Sequence, residues 1–186
     1  AENTTLKARL DASGLSEKAI KIIHGSASIG GFGNERIDTK NPLLRGRLSE
    51  EIAKNHALME VLSALPTKMP VSDYSVSSSF GIRTHPITGR PKLHMGVDLL
   101  THGGDEVKPA KPGKVILART YQDYGNTVIV RHERGIETLY GHLADVRVRE
   151  GQEVDMNSLL GMVGNTGSST GKHLHFEVSV GGYPVD

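Results

Sequence analysis

From Pro70 onward no stretch of the chain holds a helical period, and this most constrains what it can fold into. Short β-type runs appear instead: GKVILAR, NTVIVRH, IETLYGH, LGMVG and LHFEVSV. They are apolar, β-branched or aromatic, and turns such as PGK, YGN, ERG, EGQ and VGG separate them. Strands at this spacing with no helices between them predict an antiparallel β-sandwich or barrel, since parallel strands need long crossovers.

The first third differs in texture. Residues 1–46 lean towards short helices and a loop rich in Gly, Asn and Ser. Residues 47–70 predict one helix and a linker, with Ser49 as N-cap and Pro66 as terminator. Leu48, Ile52, Met59, Leu62 and Leu65 fall near one stripe, which must pack on the chain's own domain or on a partner helix. Residues 71–186 then form the β domain. With 186 residues the chain suffices for one buried domain plus an accessory segment.

Several function classes are excluded early. The net charge is +1, so no strong field points to nucleic acid or an anionic membrane. No apolar run approaches the roughly 20 residues that span a bilayer. There are no cysteines, so any metal must be held by His, Asp or Glu. Nine histidines invite a search for such a site. The segment GNTGSSTGK suggests a phosphate loop, but the spacing fails. A P-loop needs glycine where Thr166 stands and Ser or Thr where His173 stands, and it feeds a helix rather than a strand. Lys172 then reads as a solvated side chain.

Three clusters carry the candidate chemistry. His173 and His175 lie two apart on a predicted strand, on one face and about 7 Å apart. His94 and Asp98 are four apart; a straight strand would separate them by about 13 Å, too far for one ion. Gly96 permits a kink or bulge that closes the gap. His142 stands in LYGHL. Taken singly, each has a plain alternative: a surface histidine, or a turn with a solvated aspartate. Together, two histidines and a carboxylate with an open fourth position make a catalytic zinc arrangement, and the remaining histidines are then free to handle protons. His24, His56, His102 and His132 match no motif and read as surface or locally hydrogen-bonded residues.

These pieces resemble the lysostaphin/LytM-type zinc endopeptidases of bacterial cell walls. The resemblance covers residues 71–186. It rests on SSSFGIRTHPITG, H-x-G-x-D at 94–98, YGHL at 140–143 and GNTGSSTGKHLHFEV, in family order. It implies a mainly β catalytic domain with a groove, preceded by a small helical region. It implies one zinc per chain held by His94, Asp98 and His175, with His142 and His173 as the catalytic pair, either of which serves as general base. Arg83 and His85 resemble groove residues and are candidates for substrate contact, or else shape the turn before Pro86. The implied activity is hydrolysis of peptide bonds in peptidoglycan cross-links by a monomer in the periplasm or cell envelope. A membrane anchor in the full-length protein, residues 47–70 as the end of a coiled coil, and a tether or regulatory partner at the N-terminal helical region belong to the same expectation. The alternative is a catalytically inactive LytM-like activator of other wall hydrolases. The complete set of ligand and catalytic positions argues against it. A phosphate-relaying β domain, the third candidate, has no use for Asp98.

Overall fold

The structure, a computed structural model, describes residues 52–53, 55–56, 58–84, 89–103 and 105–186. The helices and loop expected in residues 1–46, the Ser49 N-cap, and His24, Leu48 and His85 lie outside the described residues.

Among the described residues twelve strands follow one another: β1 (Tyr74–Ser78), β2 (Gly81–Thr84), β3 (Pro91–His94), β4 (Val97–Thr101), β5 (Glu106–Val107), β6 (Gly113–Thr120), β7 (Asn126–Arg131), β8 (Ile136–Val146), β9 (Glu153–Val154), β10 (Gly161–Val163), β11 (Leu174–Val180) and β12 (Tyr183–Val185). Ten of them form one antiparallel sheet whose main path runs β1-β4-β11-β8-β7-β6-β9. β10 pairs with β5 and with the end of β8, β12 flanks β11, and β2–β3 form a separate hairpin. The five runs picked out in the sequence are β6, β7, β8, β10 and β11. LHFEVSV coincides with β11 residue for residue. β1 to β5, β9 and β12 are shorter or more polar, and β1, β4, β5 and β9 pair with strands that are not their neighbours in sequence.

Alternation along the strands builds the core. Leu99, Val107, Val115, Val128, Val130, Tyr140, Leu143, Leu160, Val163, Leu174 and Phe176 are buried together. Each fully buried leucine here contributes about 1.5–3 kcal/mol of transfer free energy, and the core thereby holds β4, β8 and β11 in register. Tyr140 packs on Phe176 with ring centroids 5.5 Å apart, and burial pushes its phenol up to about 12.

A second, smaller cluster docks the helix. Val61 and Ala64 are buried against Ile136 and Val180, with Leu58, Leu62 and Leu65 partly buried around them. The docked face is therefore 58, 61, 62 and 65, the i, i+3, i+4, i+7 pattern of one helical face. This corrects the expected stripe: Ile52 and Met59 are 47% and 55% exposed. The last two turns pack on the chain's own domain, and Met59 turns away from the strands. No helix among the described residues is long and apolar enough to cross a membrane.

His132, expected at the surface or in a local hydrogen bond, is buried and bonded. Its Nδ1–H donates to the Pro112 carbonyl at 2.8 Å, so neutral Nε2 accepts from Thr138 Oγ1 at 2.8 Å. Thr138 Oγ1 lies 2.9 Å from Tyr140 Oη, which accepts the Ala110 N–H at 2.9 Å. Burial pushes His132 below its ordinary 6.5, against the opposing pull of the Pro112 carbonyl. The unfolded chain thus binds the extra proton first as pH falls. Stability contributed by this site is complete above about 6.5 and declines as pH drops from there towards the folded pKa. Thermal melts from pH 7.5 to 5.5 should show this decline in wild type and a shallower one in His132→Asn. Equal slopes would remove His132 from the linkage.

Candidate active site

Strand register assembles the site in a row. Asp98 on β4 stands directly opposite His175 on β11, and His175 stands opposite Gly141 on β8, next to His142. His94 arrives from elsewhere. It ends β3, in the separate hairpin, and the chain crosses to the main sheet through Met95 and Gly96. A Cβ at Gly96 would lie 2.2 Å from the Phe176 carbonyl oxygen. Glycine is needed there for close approach to β11, so the expected bulge is in fact a passage between two sheets. That passage brings His94 Nε2 to 3.1 Å from Asp98 Oδ1.

Three buried donors converge. His94 Nε2, Asp98 Oδ1 and His175 Nδ1 are separated by 3.1, 2.8 and 3.1 Å. Each histidine has its other nitrogen engaged: His94 Nδ1–H donates to the Ser79 carbonyl at 2.8 Å, and His175 Nε2–H donates to Glu177 Oε1 at 2.9 Å. Neutral imidazoles held this way point two nitrogen lone pairs and a carboxylate oxygen at one another. Such a triad repels itself unless a cation, either a proton or a metal, sits among its members. Tetrahedral zinc at about 2.0–2.1 Å from its ligands sets them about 3.3 Å apart, close to this spacing. The outer hydrogen bonds are those that fix tautomer and ring orientation at metal sites. The residues present therefore fit a metal ion.

The electrostatics agree. Burial alone would raise Asp98, but its hydrogen bonds with His175 and His94 outweigh it and hold the carboxyl well below its usual range. Burial pulls His175 down, yet its bonds to Asp98 and Glu177 outweigh that and push it up.

His142 and His173 flank the triad. A step of two positions on β7 (126 to 128) faces a step of three on β8 (143 to 140), which marks a bulge. His142 occupies it with φ 61°, in the left-handed region where a non-glycine residue is strained. The bulge re-aims the side chain. His142 Nδ1–H donates to the Thr166 carbonyl at 2.8 Å, leaving the Nε2 lone pair for chemistry. Burial, reinforced by His173 and His175 nearby, pushes His142 below its ordinary value. His173 lies just before β11, bridged to Gly164 rather than inside the strand. Its Nδ1–H donates to the Gly171 carbonyl at 2.8 Å, and Nε2 stands 3.6 Å from Asp98 Oδ1. The His142 and His173 rings are 4.9 Å apart by centroid.

The loop GNTGSSTGK forms part of a cleft wall. Ser168 N–H donates to the Asp123 carbonyl at 2.7 Å, and Asn126 N–H donates to Thr166 Oγ1 at 2.9 Å. At Gly167, φ is 74° and a Cβ would lie 2.3 Å from Gly125 N. The loop is thus fastened to the 3₁₀ turn Gln122–Tyr124. Lys172 is exposed, as expected of a solvated side chain, but it is also ion-paired with Asp105. Arg83, on the hairpin, donates from Nη2 to Asp98 Oδ2 at 3.0 Å.

Two participants escaped the sequence. Glu177 holds His175, and its signal was present: a charged residue two positions on, on the same strand face. Tyr124 donates its hydroxyl to Glu177 Oε1 at 2.7 Å. Burial and the Glu177 charge push its phenol above the ordinary range. It comes from YGN, which reads only as a turn.

Known proteins are similar to this chain in sequence and in fold. The chain is 41% identical over 111 residues to the DD-carboxypeptidase/endopeptidase Mpg of Neisseria meningitidis serogroup B, covering 60% of this chain and 26% of that protein. It is 38% identical over 116 residues to the peptidoglycan DD-endopeptidase ShyA of Vibrio cholerae, covering 62% of this chain and 27% of the relative. The chain thus spans about a quarter of the length of these curated relatives. Among solved structures, a zinc-containing peptidase from Vibrio cholerae superposes with a TM-score of 0.58 at 40% identity, over 63% of this chain and 37% of that one. The catalytic domain of lysostaphin from Staphylococcus simulans gives 0.54 at 30% identity, over 59% and 83%. The model of peptidase family M23 matches residues 92–186, a span that begins within the hairpin and includes the triad and both flanking histidines, His142 and His173. The chain belongs to peptidase family M23.

Proposed function

We propose that the chain is a zinc-dependent endopeptidase that hydrolyses peptide bonds in peptidoglycan cross-links. The observation that carries this is the convergence of His94 Nε2, Asp98 Oδ1 and His175 Nδ1 with both outer imidazole nitrogens already engaged. These three residues would hold the zinc, which when bound supplies Lewis acidity to a water and to the scissile carbonyl.

The chain's own residues handle the protons. His142, kept neutral by burial, accepts the proton of the attacking water at Nε2. Its hydrogen bond to Thr166 fixes the tautomer for that task. His173 presents Nε2 from the other side and is placed to hold the carbonyl oxygen as charge develops on it. The same proton then passes from His142 to the leaving amine. The names of the relatives, DD-endopeptidases acting on peptidoglycan, support a D,D cross-link as the substrate. Such a substrate lies in the cell envelope, and the protein acts there.

Two measurements test this together. The protein dialysed against metal-free buffer should retain about one equivalent of zinc. Mass analysis of material released from purified sacculi should show cross-linked muropeptides converted to monomers. Zinc without release would favour an activator of other hydrolases, and absence of zinc would sink the proposal.

A further inference from the structure

Asp98 is asked to present one oxygen to a metal, and the structure shows what governs the other. Oδ1 faces His94 and His175. Oδ2 accepts a hydrogen bond from Arg83 Nη2 at 3.0 Å. Asp98 is buried, while Arg83 is half-buried and comes from a different sheet. A carboxylate with both oxygens free can rotate or chelate through both. A charge-assisted bond to one oxygen removes that freedom and fixes the plane of the group.

We infer that Arg83 is a positioning residue that holds Asp98 as a one-oxygen metal ligand, rather than a contact to substrate. This rests on the assignment of a metal to His94, Asp98 and His175. The geometry of the hairpin supports it. Gly81 pairs with His94 and Arg83 pairs with Lys92, so Arg83 and the ligand His94 are carried by the same two strands. Setting the hairpin in place therefore sets one metal ligand directly and orients a second through Arg83.

Two effects oppose each other when Arg83 is removed. Losing a cation near the site favours a divalent ion, and losing the bond that orients Asp98 disfavours it. The guanidinium is about one-third exposed, so solvent screens its charge. Outer partners of metal ligands are typically worth 10- to 100-fold in affinity. Orientation should win.

The experiment compares zinc affinity, by competition with a chromogenic chelator, in wild type, Arg83→Met and Arg83→Lys. KM for a cross-linked muropeptide is measured at saturating zinc. Arg83→Met should weaken zinc by about 10- to 100-fold and leave KM within about twofold of wild type. Arg83→Lys keeps the charge but not the planar fork, and should fall between. It also carries the comparison if the methionine variant fails to fold. Unchanged zinc affinity in both variants with a raised KM would make Arg83 a substrate contact and overturn the inference. A wild type that binds no zinc would instead overturn the metal assignment, which is a separate and recognisable result.

Discussion

His175→Ala should lose both its zinc and its turnover. His175 lies at the centre of the row formed by β4, β11 and β8, and it supplies one of the three converging donors. Two ligands cannot close a catalytic zinc site of the three-ligand type. The lost Lewis acidity is worth several kcal/mol, or on the order of 10³-fold in rate. Calorimetry gives a readout independent of activity. Zinc added to wild type should raise its melting temperature through preferential binding to the native state. His175→Ala should show no such rise. A variant that still binds one equivalent and still cleaves would refute the ligand assignment.

The second large effect is at His142. His142→Ala should keep its zinc and lose about 10²- to 10⁴-fold in kcat, with KM little changed, as expected for a lost general base. His142→Gly separates chemistry from backbone strain. The φ of 61° costs alanine about 1–2 kcal/mol and costs glycine almost nothing. The glycine variant should therefore melt higher than the alanine variant, the reverse of their order in ordinary strands, while both stay inactive. Loss of zinc in either would mean that His142 supports the metal rather than the proton transfer.

Much of this was legible in the residues, and the failures have physical causes. β6, β7, β8, β10 and β11 announce themselves because local alternation and bounding turns define them. β1 and β2, with sequences YSVSS and GIRT, have mostly polar or exposed side chains, so alternation carries little signal. Ser75↔Leu100 and Val76↔Leu99 are set by tertiary pairing. His94 and Asp98 were visible as a pair, but a spacing of four cannot reveal that they belong to different sheets. The bulge at His142 was invisible because it arises from a mismatch between two strands. The helix stripe was misplaced because Met59 is apolar without being docked, and only packing on Ile136 and Val180 selects the face.

The two sides of the cleft differ in construction. On one side the 3₁₀ turn Gln122–Tyr124 and the loop after β10 are bonded backbone to backbone. Gly125 and Gly167 approach so closely there that neither can gain a side chain without displacing the other. The hairpin opposite is its own small sheet, linked across by Arg83 to Asp98 and by a long, exposed pair from Lys92 to Asp123 at 3.9 Å. The cleft thus has one wall knitted together through its backbone and another, the hairpin, held across it by side chains. Because the hairpin also carries His94, any displacement of it would pull one corner of the triad away from Asp98 and His175.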